Sequence, residues 1–306
     1  MQVINQSCKI LERERIIILC DVMSYKSMKL LINEICNNYL EVEDDEFIMT
    51  DYDDYVISCN VKPFIELACA VFDLYDRKKI LIIPKLFIDI FNDTSFKQVY
   101  EAIQRRRNMA DLNSLKFDNQ YYELLNKNEF KNMSDESKYT HLFINMEIIT
   151  DSLCSHKLES NKILKDADSY NSDVPMWLYS HYEDNNFICP GEISKESSLY
   201  ESWVSLCEQA YELQKCMIQN AISTNVAKSL LPSSAAKHIQ CGATLGTWYL
   251  FVKSAYLSSM GHLSQNMRDL LLMMIETFDI TIIPAEMSDL LTTLKNDIND
   301  YEFFPF

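Results

Sequence analysis

Residue types able to do acid–base, nucleophilic or metal chemistry are thinly spread along the 306 residues. Five histidines stand at 141, 156, 181, 238 and 262. They show no metal-ligand spacing, so no metal is expected. Ten cysteines, at 8, 20, 36, 59, 69, 154, 189, 207, 216 and 241, include no Cys-x-x-Cys pair and sit mostly in apolar runs. That pattern fits reduced, buried thiols of a cytoplasmic protein better than a disulfide framework. Cys241 beside Gly242 could be read as a nucleophile, but no His-Asp pair accompanies it, and a buried thiol is the plainer reading. Arg105, Arg106 and Arg107 form a dense basic cluster. At the end of a helix such a cluster complements the helix dipole. By type and spacing alone, no catalytic group assembles.

The four glycines stand at 191, 242, 246 and 261. This excludes the G-x-x-x-x-G-K-[ST] and G-x-G-x-x-G phosphate cradles, because both need glycines where backbone amides meet phosphate. The G-x-S-x-G elbow and His-Glu-x-x-His are absent as well.

The elements that would position these residues follow from periodicity. "RIIILCDVM" reads as a strand and "SYKSMKLLINEICNNYL" as the helix after it. The acidic run over 42–55 reads as a solvated loop. Phe64, Leu67, Ala68 and Phe72 have helical spacing; "ILIIP" reads as a strand and "SFKQVYEAIQRRRNMADLNSL" as a helix. Residues 124–138 read as a linker. From residue 139 the pattern changes. "HLFINMEII" reads as a strand. "DSLCSHKLESNKILKDA" reads as a helix capped by Asp151 or Ser152. A short strand stopped by Pro190 precedes one long helix, from about Ser194 to Leu230, with an apolar stripe through Leu199, Trp203, Leu206, Cys207, Ala210, Tyr211, Met217 and Ile218. "HIQCGATL" reads as a strand or turn. Helices "GTWYLFVKSAYL" and "LSQNMRDLLLMMIETF" follow.

Hydrophobic residues make up 48% and charged residues 24%, the balance of a globular protein with room for a sizeable core. No apolar run is long enough to cross a bilayer. The net charge of −17 disfavours direct nucleic-acid binding and leaves room for a basic protein partner.

The order of motifs from 139 onward resembles the flavin-dependent thymidylate synthase family. Thr140-His141 stands where that family has Glu-His. Ser155-His156-Lys157-Leu158 matches its Ser-His-Gln-Leu. Asn186-Phe187-Ile188-Cys189-Pro190 fits the next strand. Ala227-Lys228-Ser229-Leu230-Leu231-Pro232 fits Ala-Arg-x-x-Leu-Pro, and Leu263-Ser264-Gln265-Asn266-Met267-Arg268 is similar to the last motif. The resemblance implies an α/β (α+β), helix-rich fold, with a family core over 139–306 and an N-terminal part over 1–138. Within that part, 1–41 reads as the start of the core and 42–130 as an insertion.

The resemblance also implies FAD as cofactor, with His141, Ser160, Asn161 and Lys162 at its positions. It implies a pyrimidine deoxynucleotide at Lys157, Gln265 and Arg268, and a homo-oligomer, tetrameric in the family. The departures bear on activity. The family's Arg-His-Arg falls on Ser160-Asn161-Lys162, its uracil-contacting glutamine on Lys157, and a nucleotide-supporting arginine on Gly246. Phosphates are normally held by Arg forks, because only Arg gives bidentate, always-charged contacts. The expectation is therefore a degenerate paralogue, a pseudoenzyme with a binding or scaffolding role. The alternatives are an active flavin enzyme transferring a methyl or hydroxymethyl group to dUMP, and an acidic helical interaction protein unrelated to the family. The last requires that segment 139–165 not pack against 225–270.

Overall fold

The computed structural model describes residues 1–11, 15–39, 47–51, 53–87, 89, 97–107, 115–118, 120–125, 129, 132–160, 177–257, 264–278 and 284–300. In chain order the strands are β1 (Gln2–Ile4), β2 (Ser7–Leu11), β3 (Arg15–Cys20), β4 (Phe47–Asp51), β5 (Tyr55–Asn60), β6 (Tyr122–Leu124), β7 (Phe143–Asp151), β8 (Trp177–Ile188) and β9 (Ala235–Thr244). The helices are α1 (Val22–Tyr39), α2 (Val61–Asp76), α3 (Lys97–Arg107), α4 (Asp135–His141), α5 (Ser152–Ser160), α6 (Ser198–Gln219), α7 (Thr224–Lys228), α8 (Leu245–Leu257), α9 (Gln265–Thr277) and α10 (Ala285–Asp300).

Two sheets form. One has the order β1-β8-β9-β7-β2 and is antiparallel except for the β1–β8 pair. The other, wholly antiparallel, has the order β4-β5-β3-β6. β7 pairs with β9 from Phe143↔Thr244 to Asp151↔Ala236, so residues 143–151 of the first segment lie directly against residues 236–244 of the second. This overturns the reading of an unrelated interaction protein.

Strand alternation explains how the sheets join. Ile16 and Ile18 point into a core with α1 and α2, beside Met28, Ile32, Phe64 and Phe72. Ile17, between them, points the other way, into the core of the five-stranded sheet with Met146, Ile148, Ile239 and Trp248. A strand with period two can serve two cores only if both its faces are covered, which fits the apolar run "RIIILC". β1 and β2 join the strands of 143–244, while β3 hydrogen-bonds to β5 and β6.

Other expectations change. Residues 47–51 are a strand, because Phe47 and Ile48 are buried despite their acidic neighbours. "ILIIP" makes only an isolated bridge, Ile83↔Phe117; Leu81 and Ile82 are exposed and Pro84 has no amide to donate. The end of the expected linker is α4, capped by Ser134, whose hydroxyl accepts from the Ser137 amide. The expected long helix breaks at Asn220–Ser223. Ala221 takes a positive φ of 61° there and Ser223 caps α7.

Candidate functional site

The site grows from two helix N-termini. Asp151, the last residue of β7, caps α5: its Oδ1 accepts from the Cys154 amide at 2.7 Å. Its Oδ2 accepts from Asn266 Nδ2 at 2.6 Å. Asn266 lies in the first turn of α9, which Ser264 caps through the Met267 amide. Asn266 Oδ1 in turn accepts from the Gly191 amide at 2.8 Å. One carboxylate and one amide thus join α5, α9 and the turn after β8. Gly191 is required by this approach: a Cβ there would lie 2.4 Å from Gln265 Cγ and 2.7 Å from its Cβ.

Gln265 carries the contacts outward. Its amide donates to Glu192 Oε1 and its Nε2 to Asp269 Oδ1, both at 2.8 Å. Asp269 lines a cavity of about 350 Å³ whose walls include Gln6, Ile188, Gly191, Lys195 and Met273. Burial pushes the Asp269 carboxyl above its ordinary value; the Gln265 hydrogen bond and the Arg268 charge oppose this, while the Glu192 charge adds to it.

Among the residues singled out by sequence, Gln265 and Arg268 share α9, and Arg268 is buried. Lys157 is half-buried on α5, the helix that the Asp151–Asn266 bond ties to α9. His141 lies elsewhere. It ends α4, is fully buried, and has its Nδ1 2.7 Å from Ser58 Oγ and its Nε2 3.1 Å from Thr50 Oγ1. Ser160 is exposed and donates to the His156 carbonyl of its own helix at 2.6 Å. Asn161 and Lys162 lie outside the described residues. A flavin must be touched by side chains that reach it. The His141 imidazole is engaged at both nitrogens within the protein, and the Ser160 hydroxyl by its own helix.

Sequence reasoning missed a second group beside α5. Lys228 and Lys237 place their ammonium groups 5.5 and 5.0 Å from the centre of the Tyr182 ring, whose hydroxyl lies 3.3 Å from Ser152 Oγ. Lys237 also pairs with Glu159 at 3.0 Å. Lys228 had a signal, since it stands at the Arg of Ala-Arg-x-x-Leu-Pro. Lys237 had none, because its place depends on the β8–β9 register, Tyr182↔Lys237.

All ten cysteines are free thiols. Burial pushes Cys8, Cys20, Cys154 and Cys241 up to about 12, which makes each a poor nucleophile.

No curated protein matches the chain. Among solved structures, a UMP/dUMP methylase from Streptomyces cacaoi, bound with 5-Br dUMP, is similar at 11% identity with a TM-score of 0.36; the match covers 49% of this chain and 71% of that one. Residues 94–279, more than half of the sequence, match the family described as Thymidylate synthase complementing protein. With the motif order and the β7–β9 core in place, the chain belongs to this family of thymidylate synthases.

Proposed function

We propose that this thymidylate synthase-like chain keeps the family fold for a binding or scaffolding role and has lost the family's flavin chemistry. The observation that carries the reading is His141, whose ring is fully buried and engaged at both nitrogens by Ser58 and Thr50. The nucleotide positions point the same way. Arg268 is buried beside Asp269 and Gln265 is committed to that carboxylate, so neither is poised as an open phosphate fork. Equilibrium titration of the purified protein with FAD, and separately with dUMP, tests this. The expected result is no saturable FAD binding; stoichiometric FAD binding overturns it.

A second reading, an enzyme acting on a pyrimidine deoxynucleotide by methyl or hydroxymethyl transfer to dUMP, is favoured by the cavity beside Asp269. Its volume suits a small ligand, and Lys195 offers a cation on its wall. Turnover of dUMP by the purified protein supplied with reduced flavin and methylenetetrahydrofolate would establish it.

The oligomer and location belong to the same proposal. Leu199, Leu206 and Leu213 recur at seven-residue spacing on α6 and are 59, 67 and 52% exposed. Such a stripe suits a second copy of the chain and supports a homo-oligomer, with the family's tetramer as its form. Leu206→Glu should lower the mass measured by light scattering. The net charge of −17 supports a basic protein as a further partner. Among the described residues no helix is long and apolar enough to cross a membrane. Ten free thiols suit a reducing compartment such as the cytoplasm.

A further inference from the structure

Away from α9, three potential ligands from neighbouring strands converge on one face of the five-stranded sheet. His181 and Glu183 are two apart on β8 and so share a face. His238 on β9 is the direct cross-strand partner of His181, and the two ring centres lie 4.9 Å apart. Glu183 Oε1 is 3.4 Å from His238 Nδ1 and 3.5 Å from His181 Nε2. One ligand atom from each of the three residues lies within 4.8 Å of the other two. Glu183 opens the bulged stretch that follows the last regular pair, Tyr182↔Lys237, and bulges commonly re-aim side chains at sites.

A second layer supports the first. Glu147 Oε1, on β7, lies 2.9 Å from His238 Nε2, and Lys9 on β2 holds the other Glu147 oxygen. With Nε2–H donating to Glu147, the His238 tautomer presents its Nδ1 lone pair to Glu183. This is the carboxylate–histidine–metal arrangement, in which an outer carboxylate orients a ligating ring. Two ring nitrogens and one carboxylate oxygen thus converge, which is the donor set of a metal site. The chemistry of the set selects the cation. Imidazole with carboxylate suits zinc, cobalt, nickel or copper, whereas magnesium and calcium prefer all-oxygen sites. The His181 side chain is 43% exposed, so water can complete the coordination from the open side.

We propose that His181, Glu183 and His238 bind one divalent transition-metal ion, with Glu147 as a positioning residue. The site is independent of the flavin and nucleotide readings above. Spacing along the chain could not reveal it, because cross-strand register brings the two histidines together.

The test is titration of chelator-treated full-length protein with Co²⁺ and with Zn²⁺, following the cobalt absorption spectrum and the thermal midpoint. The expected result is one equivalent of cobalt with a nitrogen–oxygen ligand spectrum, free of thiolate charge-transfer bands, and a raised midpoint with either metal. His181→Ala and Glu183→Gln should each abolish the midpoint rise while leaving the metal-free midpoint and circular dichroism unchanged. Glu147→Gln should weaken binding roughly 10- to 100-fold. His156→Ala, on α5, should bind as the wild type does. Absence of binding, binding unchanged in the His181→Ala/His238→Ala double variant, or a thiolate spectrum lost in Cys216→Ser would each overturn the proposal.

Discussion

His141 Nδ1 lies 2.7 Å from Ser58 Oγ, and this contact ties α4 to the four-stranded sheet. Both groups are fully buried, and Thr50 engages the other ring nitrogen at 3.1 Å. A histidine so held has a structural task. Ser58→Ala removes one partner and leaves the other buried without it, so it should cost about 1 to 3 kcal/mol in chemical denaturation. A loss no greater than that of an exposed Ser→Ala control would show that the contact is not maintained.

Asp151 serves two elements at once, as the cap of α5 and as the acceptor for Asn266 on α9. Asp151→Ala should cost about 2 to 4 kcal/mol, the sum of a lost cap and an unsatisfied buried amide. Asn266→Ala should show coupling with it in a double-mutant cycle, because the two share a bond.

Gly191 lies against the Gln265 side chain, with no room for a methyl group. Gly191→Ala should destabilise the fold by about 1 to 3 kcal/mol, as overpacking does. Hydrogen exchange should rise at the Gly191 amide, whose acceptor on Asn266 must shift.

Glu159 supplies the pH dependence. Burial pushes its carboxyl up, but hydrogen bonds from Ser180, Lys237 and Ser155 outweigh this and hold it below the usual carboxylate range. A carboxyl depressed in the fold adds stability above its unfolded value and loses it as pH falls through its folded value. Glu159→Gln should therefore lower stability at neutral pH by about 1 kcal/mol. The gap to wild type should close as pH drops below about 4.5. A gap that stays constant down to strong acid would contradict this.

Much of the family core was legible in the sequence, for local reasons. The α5 cap at Asp151 and the apolar spacing that gives α8 and α9 are written within a few neighbouring residues. What could not be read depended on distant partners. Phe47 and Ile48 sit among acidic residues, and only pairing with β5 makes them a strand. The break of the expected long helix rests on one residue, Ala221, taking a positive φ. The burial of His141 needed β4 and β5, whose Thr50 and Ser58 precede it by 91 and 83 positions in the chain. Lys157, Gln265 and Arg268 were found by motif order, but Lys237 reaches Tyr182 only through the β8–β9 register.

The most direct test is the visible absorbance spectrum of the purified protein, taken as isolated and again after incubation with FAD and desalting. The fold-without-flavin account predicts a colourless protein both times. Flavin bands that survive desalting would contradict it, and would restore the reading of an active flavoenzyme acting on a pyrimidine deoxynucleotide.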